Sequence, residues 1–267
     1  MSLQETQISK LAVVSPLAKL GVGVRIEPFA VVHEDVEIGD GCRIDSHAVI
    51  RSGTRMGEGN RVGSFSSLGG DPQDLKYAGE ECWLEIGDNN DIREHVTMNR
   101  GTAGDKLVTR VGDNCLFQAM THLGHDSQIG NQVIFGSGAM CAGHTVIEDK
   151  VILSGQTGVH QFVRVGTGAM IGAKTFLSQD AVPYCLVDGK TQKIEGLNVV
   201  GLRRRGVERQ VIQELKQAFD VLFGDQGVQD ERLRQIEQQF ASNAVVQDLV
   251  DFVRNRTSGR GLVPTSG

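Results

Sequence analysis

Four of the seven histidines lie between positions 122 and 160, and they are the side chains best suited to move protons near neutral pH. They are His122, His125, His144 and His160. His125 is followed directly by Asp126, and a carboxylate beside an imidazole can fix its tautomer and favour its charged form. Such a group suits a general base, while His122, His125 and His144 also offer ligands to zinc.

The histidines are set in a stretch, residues 111 to 177, in which an apolar residue returns at every sixth position. A period of six fits neither a helix nor a hairpin and predicts a hexapeptide β-solenoid with a continuous buried interior. None of the four histidines occupies a repeated position, so we expect all of them to point away from the core. The repeated positions are Val111, Phe117, Leu123, Ile129, Phe135, Cys141, Ile147, Leu153, Val159, Val165, Ile171 and Leu177.

The period also predicts which residues stack. If three hexads make one triangular coil, residues eighteen positions apart lie over one another. His125 is then expected over Gly143 and Gln161 of the next two coils, and Asp126 over His144. The register therefore places an imidazole next to a glycine main-chain amide.

The same period runs from Val14 to Leu68, and it is interrupted twice before the histidine-bearing stretch. Residues 69–84 and 101–109 contain Gly, Pro and charged residues out of register, so we expect two loops that leave the solenoid. Loops on a rigid scaffold commonly carry binding groups.

The pattern changes after Pro183, and from Val207 the apolar residues follow a helical spacing. Gly224 is expected to end one helix, a second helix follows, and Ser242 is predicted as the N-cap of a third. The predicted organisation is a hexapeptide-repeat β-helix over residues 1–190, a C-terminal helical domain over 191–256 and a flexible tail over 257–267.

Composition narrows the function classes. The formal net charge is −6, which argues against a general nucleic-acid binder or a binder of anionic membranes. The five cysteines have no CxxC spacing and indicate buried thiols in a reducing compartment. The N-terminus lacks an apolar signal region and no apolar run is long enough to span a membrane, so we expect a cytoplasmic protein without integral membrane association.

A set of short motifs resembles the acyl-ACP:UDP-N-acetylglucosamine O-acyltransferase family, where ACP is acyl carrier protein, nearly from end to end. The motifs are QDLKYAGE (73–80), RGT (100–102), HLGHD (122–126), AGH (142–144), GVHQF (158–162), QDAVPY (179–184) and NVVGLRRRG (198–206). The resemblance implies a mainly β fold, a left-handed parallel β-helix of hexapeptide repeats with a C-terminal α-helical domain, assembled as a homotrimer. It also implies transfer of a 3-hydroxyacyl chain from ACP to the 3-position of UDP-N-acetylglucosamine in lipid A biosynthesis, without a cofactor or metal.

The same resemblance assigns site residues. His125 is implied as the general base, Asp126 as the group that orients it, and the amide of Gly143 as the oxyanion donor. Ala173 matches a position that limits the length of the acyl chain. The implied substrate-binding residues are Asp74, Lys76, His122, His144, His160, Gln161, Asn198, Arg204 and Arg205.

Two positions depart from the family pattern. Asn99 stands where a histidine is often found, and Val200 stands where some members have a glutamate. These departures leave open a 3-amino analogue of the sugar nucleotide as acceptor.

Three other functions compete with this interpretation. One is a γ-type carbonic anhydrase-like zinc enzyme that uses His122, His125 and His144. Another is the later N-acyltransferase of the same pathway, which carries an N-terminal uridine-binding domain, whereas the hexads here begin by residue 14. The third is a purely structural trimeric scaffold, which leaves the HLGHD motif without a purpose.

Overall fold

Short parallel strands wind into a triangular β-helix in the computed structural model, which describes residues 5–256 and 258–266. Each strand pairs in parallel with the strand one coil away, so that Ile129 lies between Val111 and Ile147. The hexapeptide prediction is confirmed, because the repeated apolar residues from Ile26 to Leu177 form one continuous buried core.

Three sheets form the faces of the prism. Within the described residues the first sheet contains Gln7–Ile8, Arg25–Ile26, Arg43–Ile44, Arg61–Val62, Asp91–Ile92, Leu116–Phe117, Ile134–Phe135, Ile152–Leu153, Met170–Ile171, Cys185–Val187 and Ile194–Leu197. The second contains Val13–Val14, Val31–Val32, Val49–Ile50, Ser67–Gly70, Thr97–Asn99, His122–Leu123, Met140–Cys141, Gly158–Val159 and Phe176–Leu177. The third contains Lys19–Leu20, Val36–Ile38, Thr54–Met56, Trp83–Ile86, Val108–Val111, Gln128–Ile129, Val146–Ile147 and Arg164–Val165.

The chain passes from the first sheet to the second, then to the third and back, which defines three edges of the prism. Both predicted loops leave at one edge, between the second and third sheets, and they span residues 71–82 and 100–107. Each loop is slightly shorter than predicted because Trp83 and Val108 pair with each other at the start of neighbouring strands.

Many turns place a non-glycine residue in the left-handed region. Asp126 has φ 60° and His144 has φ 61°, and these two residues occupy equivalent positions in successive coils. Asp and His tolerate this conformation better than bulky or β-branched residues do. The turn geometry therefore directs both side chains at the edge from which the loops emerge.

Beyond the last coil an antiparallel hairpin, Cys185–Val187 with Ile194–Leu197, leads into the four helices of the described part of the chain. They are α1 (Val199–Arg204), α2 (Arg209–Leu222), α3 (Gln229–Gln239) and α4 (Ala244–Arg254). The short α1 was not predicted, because six residues are too few to show a helical period. Ser242 is not the N-cap of α4; Asn243 is, and its Oδ1 accepts hydrogen bonds from the amides of Val245 and Val246.

The C-terminal segment differs from the predicted flexible tail. Val263 is buried, and the segment continues the main-chain hydrogen bonding of the last coil. Asp180 N donates to Gly261 O at 2.8 Å, and Ile194 N donates to Pro264 O at 2.8 Å. The prediction is therefore wrong for residues 258–266, because the tail satisfies main-chain groups at the end of the β-helix; positions 257 and 267 lie outside the described residues.

All five cysteines are buried and unpaired, as the sequence predicts, and burial raises the pKa of the Cys141 thiol to about 12. None of the described helices is long and apolar enough to cross a lipid bilayer.

Candidate active site

The predicted stacking of site residues is present at the edge between the second and third sheets. His122 pairs with Met140 and Met140 with Gly158, which puts the turns that carry His125, Gly143 and Gln161 one above another. The main chain links these turns directly, since His144 N donates to His125 O at 2.9 Å.

His125 and Asp126 form a hydrogen-bonded pair, with 2.8 Å between His125 Nδ1 and Asp126 Oδ2. His125 points away from the core, as expected, but neighbouring groups cover it so that it is only 4% exposed, and Asp126 is 1% exposed. Burial pushes the pKa of the Asp126 carboxyl up, but hydrogen bonds from His125 and Thr102 more than offset this and hold the pKa below its ordinary value. The carboxylate is therefore charged when it meets the imidazole.

Thr102, from the 100–107 loop, supplies two of the donors to Asp126. Its amide donates to Oδ1 at 2.9 Å and its hydroxyl to Oδ2 at 2.7 Å. On the other side, the Asp126 amide donates to the hydroxyl of Thr109 at 2.8 Å. Sequence reasoning did not identify Thr102 as a site residue, although it lies in the RGT motif.

Gly143 lies directly against the His125 ring. A Cβ atom at this position would stand 2.6 Å from Cε1 and Nε2 of His125, so any other residue would force the His125 ring to move. Its carbonyl accepts a hydrogen bond from Phe162 N at 3.3 Å, whereas its N–H donates to no group within the described residues. A free amide thus lies beside the nitrogen of His125 that does not contact Asp126.

His144 is held by three neighbours. Its Nδ1 lies 3.0 Å from Asp105 Oδ2, its ring stacks on Phe162 at 4.5 Å, and it meets the His125 ring edge-on at 4.9 Å. Asp105 belongs to the same loop as Thr102, so this loop contacts two neighbouring groups of the site.

A surface cavity of about 470 Å³ opens beside this group. The exposed side chains of Met140 and Phe176 make part of it apolar. The pKa of His122 is lowered by burial and by the nearby His125, and its Nδ1 lies 2.7 Å from Thr97 Oγ1. The cavity is lined by Gln73, Asn99, His122, Gly124, His125, Met140, Cys141, Ala142, Gly143, Gly158, Val159, His160, Gln161 and Phe176.

Asn99 is one of the residues that line this cavity. It is 6% exposed, and its Nδ2 donates to Asp71 O at 2.8 Å, which fixes the orientation of the amide. Its Oδ1 is buried and has no hydrogen-bond partner among the residues that the structure describes. A buried acceptor of this kind is costly unless a ligand supplies the donor.

The 71–82 loop brings Gln73 to the cavity, and neither Asp74 nor Lys76 lines it. Asp74 is half-buried, and its Oδ1 accepts a hydrogen bond from Lys76 N at 3.0 Å. Within one chain, Asp74 therefore holds a turn of the loop, while Lys76 is exposed.

The other predicted site residues lie on different edges of the prism. Asn198 caps α1, its Oδ1 accepting from Gly201 N and its Nδ2 donating to Gly168 O, both at 3.0 Å, and Gly168 lies at the edge between the third and first sheets. Arg204 is exposed on α1, and Arg205 packs against Gly168. Burial lowers the pKa of Arg205, while interaction with Tyr184 opposes that shift.

Ala173 lies at the remaining edge, between the first and second sheets, where it is exposed and lines a separate cavity of about 500 Å³. The histidines, the α1 residues and Ala173 thus occupy three different edges. A single chain does not bring these three groups together.

Comparison with known proteins finds close relatives over nearly the whole chain. Residues 180–263 match the family model described as UDP N-acetylglucosamine O-acyltransferase, domain 2, and residues 18–52 match the bacterial transferase hexapeptide model. A protein of Alkalilimnicola ehrlichii named acyl-(acyl-carrier-protein)–UDP-N-acetylglucosamine O-acyltransferase is 49% identical over 258 residues, covering 97% of this chain and 99% of its own length.

Solved structures agree with this similarity. The UDP-N-acetylglucosamine acyltransferase of Francisella novicida superposes with a TM-score of 0.92 at 34% identity, over 98% of this chain and 95% of its own. The enzyme of Bacteroides fragilis superposes with a TM-score of 0.91 at 38% identity, over 96% and 99% of the two chains. The left-handed parallel β-helix with a C-terminal helical region is thereby confirmed.

Proposed function

The chain belongs to the acyl-ACP:UDP-N-acetylglucosamine O-acyltransferase family, and we propose that His125 is the general base of the reaction that it catalyses. Membership makes the protein an acyltransferase of lipid A biosynthesis. The proposed reaction moves a 3-hydroxyacyl chain from ACP to the 3-hydroxyl of UDP-N-acetylglucosamine. The observation that carries the proposal is the buried His125–Asp126 pair packed against Gly143 at the cavity.

The pair is arranged for proton transfer. Because Nδ1 of His125 is engaged by Asp126, Nε2 is the nitrogen left to accept a proton. As the sugar hydroxyl attacks the thioester carbon, its proton passes to Nε2, and the ionised Asp126 stabilises the resulting imidazolium. The tetrahedral intermediate then collapses, the carbon–sulfur bond breaks, and the imidazolium returns the proton to the departing thiolate of ACP.

The free N–H of Gly143 is the proposed donor to the oxyanion of this intermediate. It lies beside the imidazole and has no partner within the described residues. A preorganised amide in such a position is worth roughly 3 kcal/mol of transition-state stabilisation in other enzymes.

Binding roles follow from position. His122, His160 and Gln161 line the cavity, and His144 adjoins it, so they suit contacts to the sugar or the acyl chain. The exposed Arg204 is free to contact a diphosphate or the acidic carrier. Asp74 and Lys76 are proposed for the sugar nucleotide.

A homotrimer would complete the site. Asn198, Arg204, Arg205 and Ala173 lie on edges of the prism that differ from the edge of His125. Neighbouring copies can bring different edges together, whereas one chain cannot. We therefore propose that α1 and Ala173 of adjacent subunits act at the same cleft as the histidines, with Ala173 limiting the acyl chain.

Asn99 supports the 3-amino sugar nucleotide as a second candidate acceptor. An amine can donate one hydrogen bond to the unpaired Oδ1 of Asn99 and another to His125, whereas a hydroxyl has one proton to donate. Initial rates with UDP-N-acetylglucosamine and with its 3-amino analogue decide between the two. If wild type and Asn99→Ala prefer the hydroxyl acceptor over the amine to the same degree, Asn99 does not select the acceptor.

The residues that could bind zinc in the structure differ from the predicted set of three histidines. Within the described residues His125, Asp126 and His144 place ligand atoms within 4.8 Å of one another, and His122 is not part of that group. Both histidines already contact carboxylates through Nδ1, which uses a ligand atom of each. Acyl transfer that is unaffected by chelators, with no stoichiometric zinc in the active protein, would exclude this alternative.

The decisive experiment is His125→Ala with His33→Ala as the matched control, because His33 lies elsewhere on the β-helix. We expect His125→Ala to lose nearly all acyl transfer from 3-hydroxyacyl-ACP, with its oligomeric state unchanged. The control should keep wild-type turnover. Near wild-type rates in His125→Ala would refute the base assignment.

A further inference from the structure

The 100–107 loop makes contacts that the proposed chemistry does not use directly. Thr102 is 4% exposed, and both of its hydrogen-bond donors end on the two carboxylate oxygens of Asp126. These bonds join residues that are 24 positions apart, and they reach Asp126 from outside the β-helix. The Asp126 carboxylate is thus hydrogen-bonded by Thr102 and by His125.

The loop is built to hold Thr102 in one place. The Thr102 carbonyl accepts hydrogen bonds from the amides of Asp105 at 3.3 Å and Leu107 at 3.1 Å. The amide of Ala103 donates to Glu80 Oε1 at 3.1 Å, which ties this loop to the 71–82 loop. A Cβ atom on Gly101 would stand 2.1 Å from Val108 N, so the chain approaches the β-helix closely just before Thr102.

We propose that Thr102 is a positioning residue of the active site, which aims the Asp126 carboxylate at Nδ1 of His125 and so sets the orientation of the base. Thr102 does not line the cavity, and its two hydrogen-bond donors end on Asp126, so it acts through that residue. The inference rests on the proposed function, in which Asp126 orients His125.

Charged and titratable groups surround Asp126 on each side. His125 and His144 face it at 2.8 Å and 3.9 Å from Oδ2, and Glu80 lies close enough for its pKa to be raised in part by Asp126, although main-chain hydrogen bonds from Ala78 and Ala103 lower it overall. Without the Thr102 hydroxyl, the carboxylate can rotate toward the His144 imidazole. Loss of the Thr102 hydroxyl should therefore weaken the hydrogen bond between Asp126 and Nδ1 of His125.

The effect on pH dependence has a definite sign. Burial pushes the pKa of Asp126 up, and hydrogen bonds from His125 and Thr102 bring it below its ordinary value. Removing the Thr102 hydroxyl raises that pKa, so Asp126 becomes protonated at a higher pH. The titration of the Asp126 carboxyl, followed by NMR of its side-chain carboxyl carbon, should accordingly move to higher pH in Thr102→Val.

The test uses Thr102→Val, which removes the hydroxyl and keeps the shape, and Thr102→Ser, which restores it. We expect Thr102→Val to lower kcat roughly tenfold with little change in KM, since a hydrogen bond to a charged group is lost. Thr102→Ser should recover most of the rate and the wild-type titration of Asp126. Thr54→Val is the matched control, because its buried hydroxyl donates to Arg51 O and not to a site residue.

Combination with Asp126→Asn separates positioning from a general structural role. If Thr102 acts through Asp126, Thr102→Val should cost less than about twofold in the Asp126→Asn background. An equal loss in both backgrounds, or an unshifted titration of Asp126 in Thr102→Val, would overturn the inference while His125 keeps its role. Turnover in His125→Ala would instead refute the base assignment and the inference with it.

Discussion

Replacing Gly143 by alanine tests the active-site geometry with one added methyl group. The main-chain N–H of residue 143 survives this change, so the proposed oxyanion donor is retained. The φ angle of Gly143 is outside the left-handed region, so alanine adds no strain of that kind. Because Gly143 also lines the cavity, a loss of kcat with KM retained is the result that reports on the His125 ring.

The size of the effect follows from the contacts. The new Cβ would stand 2.6 Å from Cε1 and Nε2 of His125, whereas ordinary contact begins at 3.4 Å, so the ring must move by about 0.8 Å. A shift of that size disturbs the 2.8 Å contact of Nδ1 with Asp126 and moves Nε2 from its place at the cavity. Misplacement of a catalytic group by about 1 Å commonly costs about 10²-fold in rate.

We expect Gly143→Ala to lower kcat about 10²-fold and the stability by only about 1–3 kcal/mol. Initial rates with 3-hydroxyacyl-ACP and thermal unfolding would measure both. Gly224→Ala is the control, because Gly224 follows α2, away from the histidine edge and from Ala173, and the nearest group to a Cβ there would be Asp220 O, at 3.1 Å. A fully active Gly143→Ala protein would show that the ring does not need its observed position.

Five further substitutions test the core, the α1 cations and the acyl groove. Ile129→Asp buries an unpaired charge in the apolar interior and should yield no folded protein; a soluble, folded variant would contradict the register. Arg204→Ala should raise KM in a salt-sensitive way without lowering the melting temperature. Arg205→Ala should lower both the affinity for substrate and the melting temperature, because Arg205 is partly buried beside Tyr184. An unchanged KM in both variants would contradict the proposed binding role. Ala173→Gly should make the preferred acyl chain longer and Ala173→Met should make it shorter, with the preference changing about tenfold for each two carbons. Competition between ACP carriers of different acyl lengths measures this preference. If neither variant changes it, another residue limits the chain length.

The sequence alone was enough to predict the β-helix and the stacking at its histidine edge. A strict period of six leaves one way to bury every repeated residue, and a coil of three hexads then determines that His125 meets Gly143 and that Asp126 meets His144. The position of a residue within its hexad determines which residues of the neighbouring coils it contacts. For residues of the repeat, the sequence pattern alone therefore predicts their tertiary contacts.

Positions outside the repeat were decided by the tertiary structure. Thr102 and Asp105 belong to a loop with no period, and nothing in their spacing shows that they would reach Asp126 and His144. The same holds for the C-terminal tail, whose composition suggests flexibility although Val263 docks on the last coil. Long-range hydrogen bonds to main-chain and carboxylate groups fix these segments, and such partners are identified only when the whole chain is folded.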